Sequence, residues 1–179
     1  MSLVTMVDLE TLGTNPKSVI LSIGAVSFDT DNDREDFSNT FYVNVDPKSC
    51  QKFGLTVDVS TVMWWLKQSK DAQETLVKNT VVSLPSALQQ FSTWYSEFGG
   101  HLYGNGAAFD NVILANAYEA CDCGRPWPYY DDRCYRTIKA NWPKITADVF
   151  EGTKHDALSD AVHQAKHLYK IARQTGISL

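Results

Sequence analysis

The sequence predicts an α/β fold in which strands come first along the chain and helices follow. Three observations support this: apolar runs rich in β-branched residues near the start, helical spacing of apolar residues further on, and a strand-to-helix unit in the middle. The 179 residues suit one compact unit, so we expect a single domain over 1–179.

The predicted strands come from three short apolar runs. Runs at 3–8 and 19–28 are separated by a loop that contains glycine and proline. A third run at 40–45 ends before an Asp-Pro pair, which is typical of a strand terminus. The chain is therefore expected to open with a three-stranded meander.

Two helices are predicted after the meander by apolar residues at helical spacing. Their core-facing residues are Val59, Val62, Met63 and Leu66 in the first helix, and Leu84, Leu88, Phe91 and Tyr95 in the second. An apolar piece at 102–103 predicts a strand that leads into a helix over 109–120. Helical spacing resumes over 134–142, and the final helix over 156–174 has the most regular apolar face, with Gly176 as its stop.

Composition excludes several classes of protein. No apolar run approaches the roughly 18 residues that span a bilayer, so a membrane protein is not expected. The first six residues lack the basic and apolar regions of a signal peptide, which predicts a cytoplasmic protein. The formal net charge of −5 argues against coating nucleic acid by electrostatics alone, but it is compatible with an enzyme whose carboxylates cluster around metal ions.

Two patterns typical of zinc sites are incomplete. Cys121-x-Cys123, with Cys134 nearby, lacks the usual ligand spacing and a close fourth ligand, so the cysteines are expected to be thiols. His163 and His167 lie four residues apart on the last helix, but no third ligand accompanies them. We interpret them as residues of the polar helix face.

The candidate catalytic carboxylates occur at three places in the chain. Asp8 and Glu10 are separated by one residue at the end of the first strand, so both point to one face, which suits two hard cations. Asp110 stands at a predicted helix start, where capping is the alternative role. Asp160 stands early in the last helix, where the helix dipole favours an anion. Each acid taken alone is compatible with an ordinary solvated charge or a cap.

His155 precedes the last helix and is a candidate general base. A neutral imidazole beside an acidic metal site can accept a proton from water near neutral pH. The alternative is an exposed loop histidine with no role in catalysis.

The ordered set Asp8-x-Glu10, Asp110 and His155-x4-Asp160 resembles the DnaQ-like, DEDDh-type 3′-5′ exonucleases over nearly the whole chain. Segments 8–14, 64–69 and 133–137 are similar to a branch with phage-type exonucleases and the mycobacterial, RNase AS-like exoribonucleases that trim adenylate tails. The resemblance implies an RNase H-like fold with a mixed central β-sheet flanked by α-helices. It also implies two divalent metal ions and release of nucleoside 5′-monophosphates.

The same resemblance implies roles for individual residues. Asp8, Glu10, Asp110 and Asp160 would hold two Mg²⁺ or Mn²⁺ ions with Asp8 as the bridge, and His155 would take the proton from the attacking water. The Thr11 backbone and the Glu10 carboxylate would hold the terminal 3′-hydroxyl. Leu12 would wedge against the last base, with an ordinary apolar loop residue as the alternative.

Aromatic and basic residues are candidates for nucleic-acid binding. Trp64 and Trp65 point about 100° apart on a helix, so at most one is expected to face the core. The other is free to stack on a base or contact a partner, and packing of both is the alternative. Arg133, Arg136 and Lys139 share one flank of a predicted helix, which indicates a phosphate-binding strip or a solvated helix face.

The sequence thus predicts a metal-dependent 3′-5′ exonuclease acting on single-stranded DNA or RNA. A catalytically silent nucleic-acid or nucleotide-binding module on the same fold is the alternative. An RNase H-like endonuclease is a third interpretation, which His155 opposes. Relatives often form a homodimer in which the basic strip of one protomer serves the site of the other, and a monomer with a wide groove fits the exposed aromatic residues equally well.

Overall fold

A computed structural model of the chain describes residues 3–32, 34–76 and 80–179. In this part of the chain the strands are β1 (Leu3–Thr11), β2 (Ile20–Asp29), β3 (Asn39–Asn44), β4 (His101–Gly104) and β5 (Asp132–Cys134). The helices are α1 (Pro47–Lys52), α2 (Val59–Trp65), α3 (Lys70–Leu76), α4 (Leu84–Phe98), α5 (Asp110–Ala120), α6 (Tyr135–Asn141) and α7 (Ala157–Thr175).

The strands form one mixed sheet in the order β3-β2-β1-β4-β5. Strands β1, β2 and β3 pair antiparallel, as the predicted meander requires, whereas β4 and β5 extend the sheet in parallel with β1. The α/β prediction and the mixed central sheet are therefore confirmed.

Helices cover both faces of the sheet, and side-chain alternation along β1 separates the two cores. Val7 and Leu9 join the core that contains α4 and α5, while Val4 and Met6 join the core that contains α6 and α7. By the same alternation, the carboxylates at positions 8 and 10 project toward the α7 side. The end of β1 thereby brings charged side chains to the start of α7.

Three elements escaped prediction because each lacks a regular apolar pattern. Helix α1 begins at the proline that was expected to end a strand: Asp46 accepts a hydrogen bond from the Lys48 N–H, and Pro47 occupies the first turn, where its missing N–H costs nothing. Helix α3 is mostly polar. Strand β5 has only three residues, two of them charged.

The predicted core stripe of α2 is wrong. Val59, Met63 and Leu66 are 74%, 50% and 63% exposed, and Trp65 is the buried residue of this helix. Trp65 packs against the end of β1, where its indole N–H donates to the Thr11 carbonyl, so the helix presents a different face to the protein.

Helix α7 follows the prediction closely, except at one histidine. Asp156 caps its first turn by accepting from the Ser159 N–H, and Gly176 ends it in the left-handed conformation. His167 is buried rather than on the polar face, because its ring nitrogens bond the Tyr135 hydroxyl at 2.6 Å and the Ile145 carbonyl at 2.8 Å. All four cysteines are free. No helix in the described ranges is long and apolar enough to cross a membrane.

Candidate active site

The predicted carboxylates come together from three separate elements at the end of β1. Asp8 and Glu10 lie on β1, Asp110 is the first residue of α5, and Asp160 lies in the first turn of α7. Asp110 does not cap its own helix, since its Oδ1 accepts a hydrogen bond of 3.2 Å from the Leu9 N–H of β1. This hydrogen bond between α5 and β1 fixes the Asp110 carboxylate beside those of Asp8 and Glu10.

Two glycines allow helices to approach the sheet closely enough for this arrangement. Gly24 lies opposite Asp8 in the β1–β2 ladder, and a Cβ there would stand 2.2 Å from the carbonyl carbon of Ala157. A Cβ on Gly104, at the end of β4, would stand 2.9 Å from the Asp110 Cβ. Both values are far below van der Waals contact, so the starts of α7 and α5 depend on the missing side chains.

His155 lies just before α7 in a left-handed backbone conformation with φ of 63°. Such a conformation is strained for a non-glycine residue and persists where the surroundings enforce it. Here the His155 N–H donates to Asp160 Oδ2 at 2.9 Å, and its ring meets those of Trp64 and Trp65 nearly at right angles, with centroids 5.1 and 5.8 Å away. One ligand atom each from His155, Glu10 and Asp160 lie within 4.8 Å of one another.

Ion pairs hold the segment that precedes His155 against α7. Lys166 pairs with Glu151 at 3.1 Å, and Lys170 pairs with Asp148 at 2.7 Å. The partly buried bond from His167 to the Ile145 carbonyl anchors the same segment further back. The base candidate is therefore held by the same helix that carries Asp160.

Burial and mutual repulsion perturb the carboxylates strongly. Burial, with the neighbouring charges of Asp160 and Asp110, raises the pKa of Glu10 to about 8. Burial raises the pKa of Asp110 to about 7, although the hydrogen bond from Leu9 acts against this shift. Desolvation and three neighbouring carboxylates raise the pKa of Asp8 well above its ordinary value, and burial also raises the pKa of Asp160. Repulsion of this kind is what bound cations relieve.

The donor set fits hard divalent cations. Asp8, Glu10, Asp110 and Asp160 offer only oxygen ligands, which suit Mg²⁺ and Mn²⁺. In residues 3–32, 34–76 and 80–179, the only group of at least three His, Cys, Asp or Glu side chains close enough to share an ion contains Glu10, His155 and Asp160. All four cysteines are free thiols in the structure.

A cavity of about 440 Å³ opens beside the carboxylates. Its walls include Glu10, Thr11, Trp64, Trp65 and Phe109. Trp65 is buried, whereas Trp64 is 44% exposed, so the prediction that at most one of the pair faces the core is correct. The cavity combines a carboxylate with flat aromatic surfaces, a combination typical of a site for a small organic ligand.

Leu12, the predicted wedge, does not line this cavity. It is partly buried and packs against the core on the α4 side of the sheet, and its backbone bonds Val19 and Asp58. Phe109, which the sequence did not single out, contributes an apolar side chain to the cavity instead.

The predicted basic strip survives only in part. Arg136 donates to the Asn105 carbonyl at 2.7 Å, and Lys139 lies 3.4 Å from the side-chain oxygen of the same asparagine. The Arg136 guanidinium also lies beside Gly106, where an added Cβ would stand 3.5 Å from the guanidinium carbon, and its charge acts to lower the pKa of Asp110. Arg133 belongs to β5 rather than to the helix, and its guanidinium donates to the Tyr130 carbonyl, so the prediction that it shares a helix flank with Arg136 and Lys139 is wrong.

Comparison with known protein families assigns the chain to a family. The family of Rv2179c-like 3′-5′ exoribonuclease domains matches residues 4–172. The chain belongs to this family. It is a 3′-5′ exonuclease, and the resemblance found in its motifs is confirmed.

Solved structures agree on the fold of the exonuclease. The nuclease domain of 3′hExo, a DEDDh family member bound to rAMP, superposes with a TM-score of 0.67 at 14% identity, covering 97% of this chain and 93% of that one. An E. coli ExoI–ssDNA complex in its zinc-bound form gives 0.67 at 14% identity, with 98% of this chain on 41% of that one. A full-length 3′-exonuclease gives 0.63 at 16% identity, covering 99% and 84%. These likenesses confirm the RNase H-like exonuclease fold.

A comparison of the sequence with curated proteins gives no significant match. The exonuclease assignment therefore rests on the family and on the site, not on a close relative.

Gln164 contacts the candidate site, although the motifs did not include it. It lies in α7, is 6% exposed, and donates a hydrogen bond of 2.8 Å from Nε2 to Asp8 Oδ1. Its spacing of four residues from Asp160 puts both on one helix face, so periodicity alone could have singled it out.

Proposed function

We propose that this exonuclease removes nucleotides from the 3′ end of single-stranded RNA, releasing nucleoside 5′-monophosphates with the help of two divalent metal ions. The observation that carries the proposal is the convergence of four carboxylates and one histidine beside an aromatic cavity. The choice of RNA is supported by the description of the family, whose members are exoribonuclease domains. The aromatic walls of the cavity do not select between ribose and deoxyribose, because a base stacks on them in either case. Single-stranded DNA is the second candidate.

In the proposed reaction, Asp8, Glu10, Asp110 and Asp160 hold the cations. When bound, the two cations would stabilise charge on the attacking and leaving oxygens of an in-line displacement at phosphorus. We assign the Mg²⁺ or Mn²⁺ preference from the oxygen-only ligands. Asp8 would hold the cations together with the other three carboxylates, whose charges raise its pKa in the absence of the cations.

His155 is the proposed general base. It would accept one proton of the water whose oxygen attacks the last phosphorus, while the bond from that phosphorus to the preceding 3′-oxygen breaks. The leaving 3′-oxygen would take a proton from solvent water and become the new 3′-hydroxyl end. The ring is near Glu10 and Asp160, and the two tryptophans limit its rotation. General-base catalysis of this type contributes about 10²- to 10⁴-fold in rate.

Selectivity for the 3′ end would come from the cavity next to Glu10. Glu10 and Thr11 line this cavity, so the Glu10 carboxylate and the Thr11 backbone would orient a terminal hydroxyl, and the exposed ring of Trp64 would stack on the last base. Arg136 would contact a phosphate upstream of the scissile bond, since its guanidinium bonds the Asn105 carbonyl in the segment that leads to Asp110. A homodimer that supplies a second basic strip remains a proposal of the same kind.

The test is a gel time course on matched 5′-labelled single-stranded RNA and DNA, with Mg²⁺, Mn²⁺ or EDTA. We expect a ladder that shortens from the 3′ end with metal only, faster on RNA. Asp160→Asn should abolish it, because a ligand is lost while the side chain keeps its size. Asp122→Asn, an exposed aspartate in the turn after α5, is the matched control.

Each part of the proposal can fail separately in this assay. Binding without cleavage by the unaltered protein would favour the silent binding module. Cleavage at internal positions would favour an endonuclease. If His155→Gln loses Mn²⁺ binding as fully as Asp160→Asn does, then His155 is a ligand and not the base.

A further inference from the structure

The side chain of Gln164 connects α7 to the proposed metal site in a way that the family motifs do not require. We propose that Gln164 is a positioning residue for metal binding: its amide holds the Asp8 carboxylate in place and offers an oxygen to the hydration shell of a bound cation. This inference rests on the proposed function, because it concerns the same two-ion site.

The geometry supports direct control of Asp8. Gln164 Nε2 lies 2.8 Å from Asp8 Oδ1, across a sequence separation of 156 residues. Gln164 is 6% exposed and stands one helical turn after Asp160, so α7 presents a ligand and a hydrogen-bond donor to the site from one face.

The chemistry of an amide suits this position better than a charged side chain would. A lysine or arginine would satisfy Asp8 but would also cancel the negative charge that attracts cations. A fifth carboxylate would add to the repulsion already present among the four acids. A neutral amide fixes the orientation of Asp8 by one hydrogen bond and leaves the charge of the site unchanged.

The acceptor end of the same amide points to a ligand. Gln164 Oε1 is buried, and no described residue donates a hydrogen bond to it. A buried acceptor without a donor is unfavourable, so native structures seldom keep one unless water or a ligand completes it. Mg²⁺ retains several waters when it binds to proteins, and such a water would supply the missing donor.

The competing explanation is that Gln164 only packs α7 against β1. A purely structural role predicts that its replacement lowers the unfolding temperature without changing metal affinity. A positioning role predicts lower metal affinity, since loss of residues that orient metal ligands typically costs 10- to 100-fold. Direct metal binding therefore separates the two explanations without reference to catalysis.

The experiment is calorimetric titration of the full chain with Mn²⁺ in the absence of nucleic acid, together with thermal unfolding in EDTA. Gln164→Met keeps the length of the side chain but removes the donor and the acceptor. Gln174→Met, at an exposed position near the end of the same helix, is the matched control. We expect a 10- to 100-fold loss of Mn²⁺ affinity in Gln164→Met and none in the control.

A second variant keeps the test decisive if Gln164→Met does not fold. Gln164→Asn retains the amide but is one methylene shorter, so it cannot span the distance to Asp8, and we expect the same loss of affinity. Mn²⁺ affinity within two-fold of the unaltered protein in the folded variants would overturn the inference. Asp160→Asn in the same titration tests the site itself. If Asp160→Asn and the Gln164 variants all retain full Mn²⁺ affinity, the proposed metal site is wrong. If only Asp160→Asn loses Mn²⁺ affinity, the metal site stands and only the role of Gln164 is rejected.

Discussion

Replacing Gly24 with alanine is the sharpest test of how the fold assembles the site. The added Cβ would lie 2.2, 2.3 and 2.5 Å from the Ala157 carbonyl carbon, the Leu158 nitrogen and the Ala157 oxygen. All three are backbone atoms at the start of α7, so no side chain can rotate away. Ordinary van der Waals contact begins at 3.4 Å, so the helix start must retreat by about 1 Å or the strand must bend.

The expected loss of activity follows from which residues move with that helix. His155 and Asp160 are carried by the start of α7, whereas Asp8 and Glu10 stay on β1. A displacement of about 1 Å between reacting groups costs on the order of 100-fold in rate. Overpacking should also destabilise the fold by about 1–3 kcal/mol, against the roughly 0.5–1 kcal/mol that alanine normally gains over glycine in a strand.

The assay combines single-turnover cleavage of a 5′-labelled RNA with thermal unfolding followed by circular dichroism. Gly124→Ala is the matched control, because a Cβ at that position meets no atom within 4 Å. We expect the control to keep full activity and Gly24→Ala to lose about 100-fold while remaining folded below its lowered unfolding temperature. Equal rates and equal unfolding temperatures for both variants would refute the argument that this glycine sets the helix position.

Three further predictions concern charge, the aromatic cavity and the basic strip. The raised pKa values of Glu10 (about 8) and Asp110 (about 7) mean that the folded, metal-free protein binds more protons than the unfolded chain. The free energy of unfolding in EDTA should therefore fall as the pH rises from about 5 to 8. Added Mg²⁺ should raise that free energy most near pH 8, where the carboxylates are ionised. A free energy of unfolding that increases with pH in EDTA would contradict the raised pKa values. Trp64→Ala should raise KM for short RNA more than it lowers kcat, by the roughly 1–3 kcal/mol that a stacked base contributes, and an unchanged KM would remove Trp64 from the binding surface. Arg136→Ala should weaken binding and reduce the slope of log affinity against log salt by about 0.7. Arg133→Ala should change the slope less, since the Arg133 guanidinium contacts Tyr130, whereas that of Arg136 contacts Asn105 in the segment that leads to Asp110.

The parts of the fold that the sequence predicted are those in which local pattern and tertiary role agree. Strands β1 and β2 are apolar and β-branched and lie in the middle of the sheet, and α7 has one continuous apolar face that covers it. Helix α2 fails for the opposite reason. Its regular apolar spacing faces solvent, and contact with the protein is made through the single buried ring of Trp65. Nothing in a seven-residue pattern distinguishes these two outcomes.

Sequence analysis could predict which residues belong to the candidate site, but not the contacts that bring them together. Alternation along β1 correctly placed Asp8 and Glu10 on one face, but no local rule could show that Asp110 would bond to the Leu9 backbone of that strand. Gly24 carried a readable signal, since an isolated glycine in a strong strand often marks close approach of another backbone. Phe109 carried none, because its place in the cavity depends on how α5 meets β1.

The two tryptophans connect substrate binding to the chemistry. Trp64 is at once a wall of the cavity and a neighbour of the His155 ring, with centroids 5.1 Å apart, and Trp65 fixes the pair to the Thr11 carbonyl at the end of β1. A base that stacks in the cavity would therefore restrict the ring that contacts the proposed general base. Because His155 already holds a strained backbone conformation, small changes in its surroundings should alter its alignment with the attacking water. On this argument, correct seating of the last nucleotide and activation of the base are one event, which would favour cleavage at the terminal phosphodiester over cleavage further inside the strand.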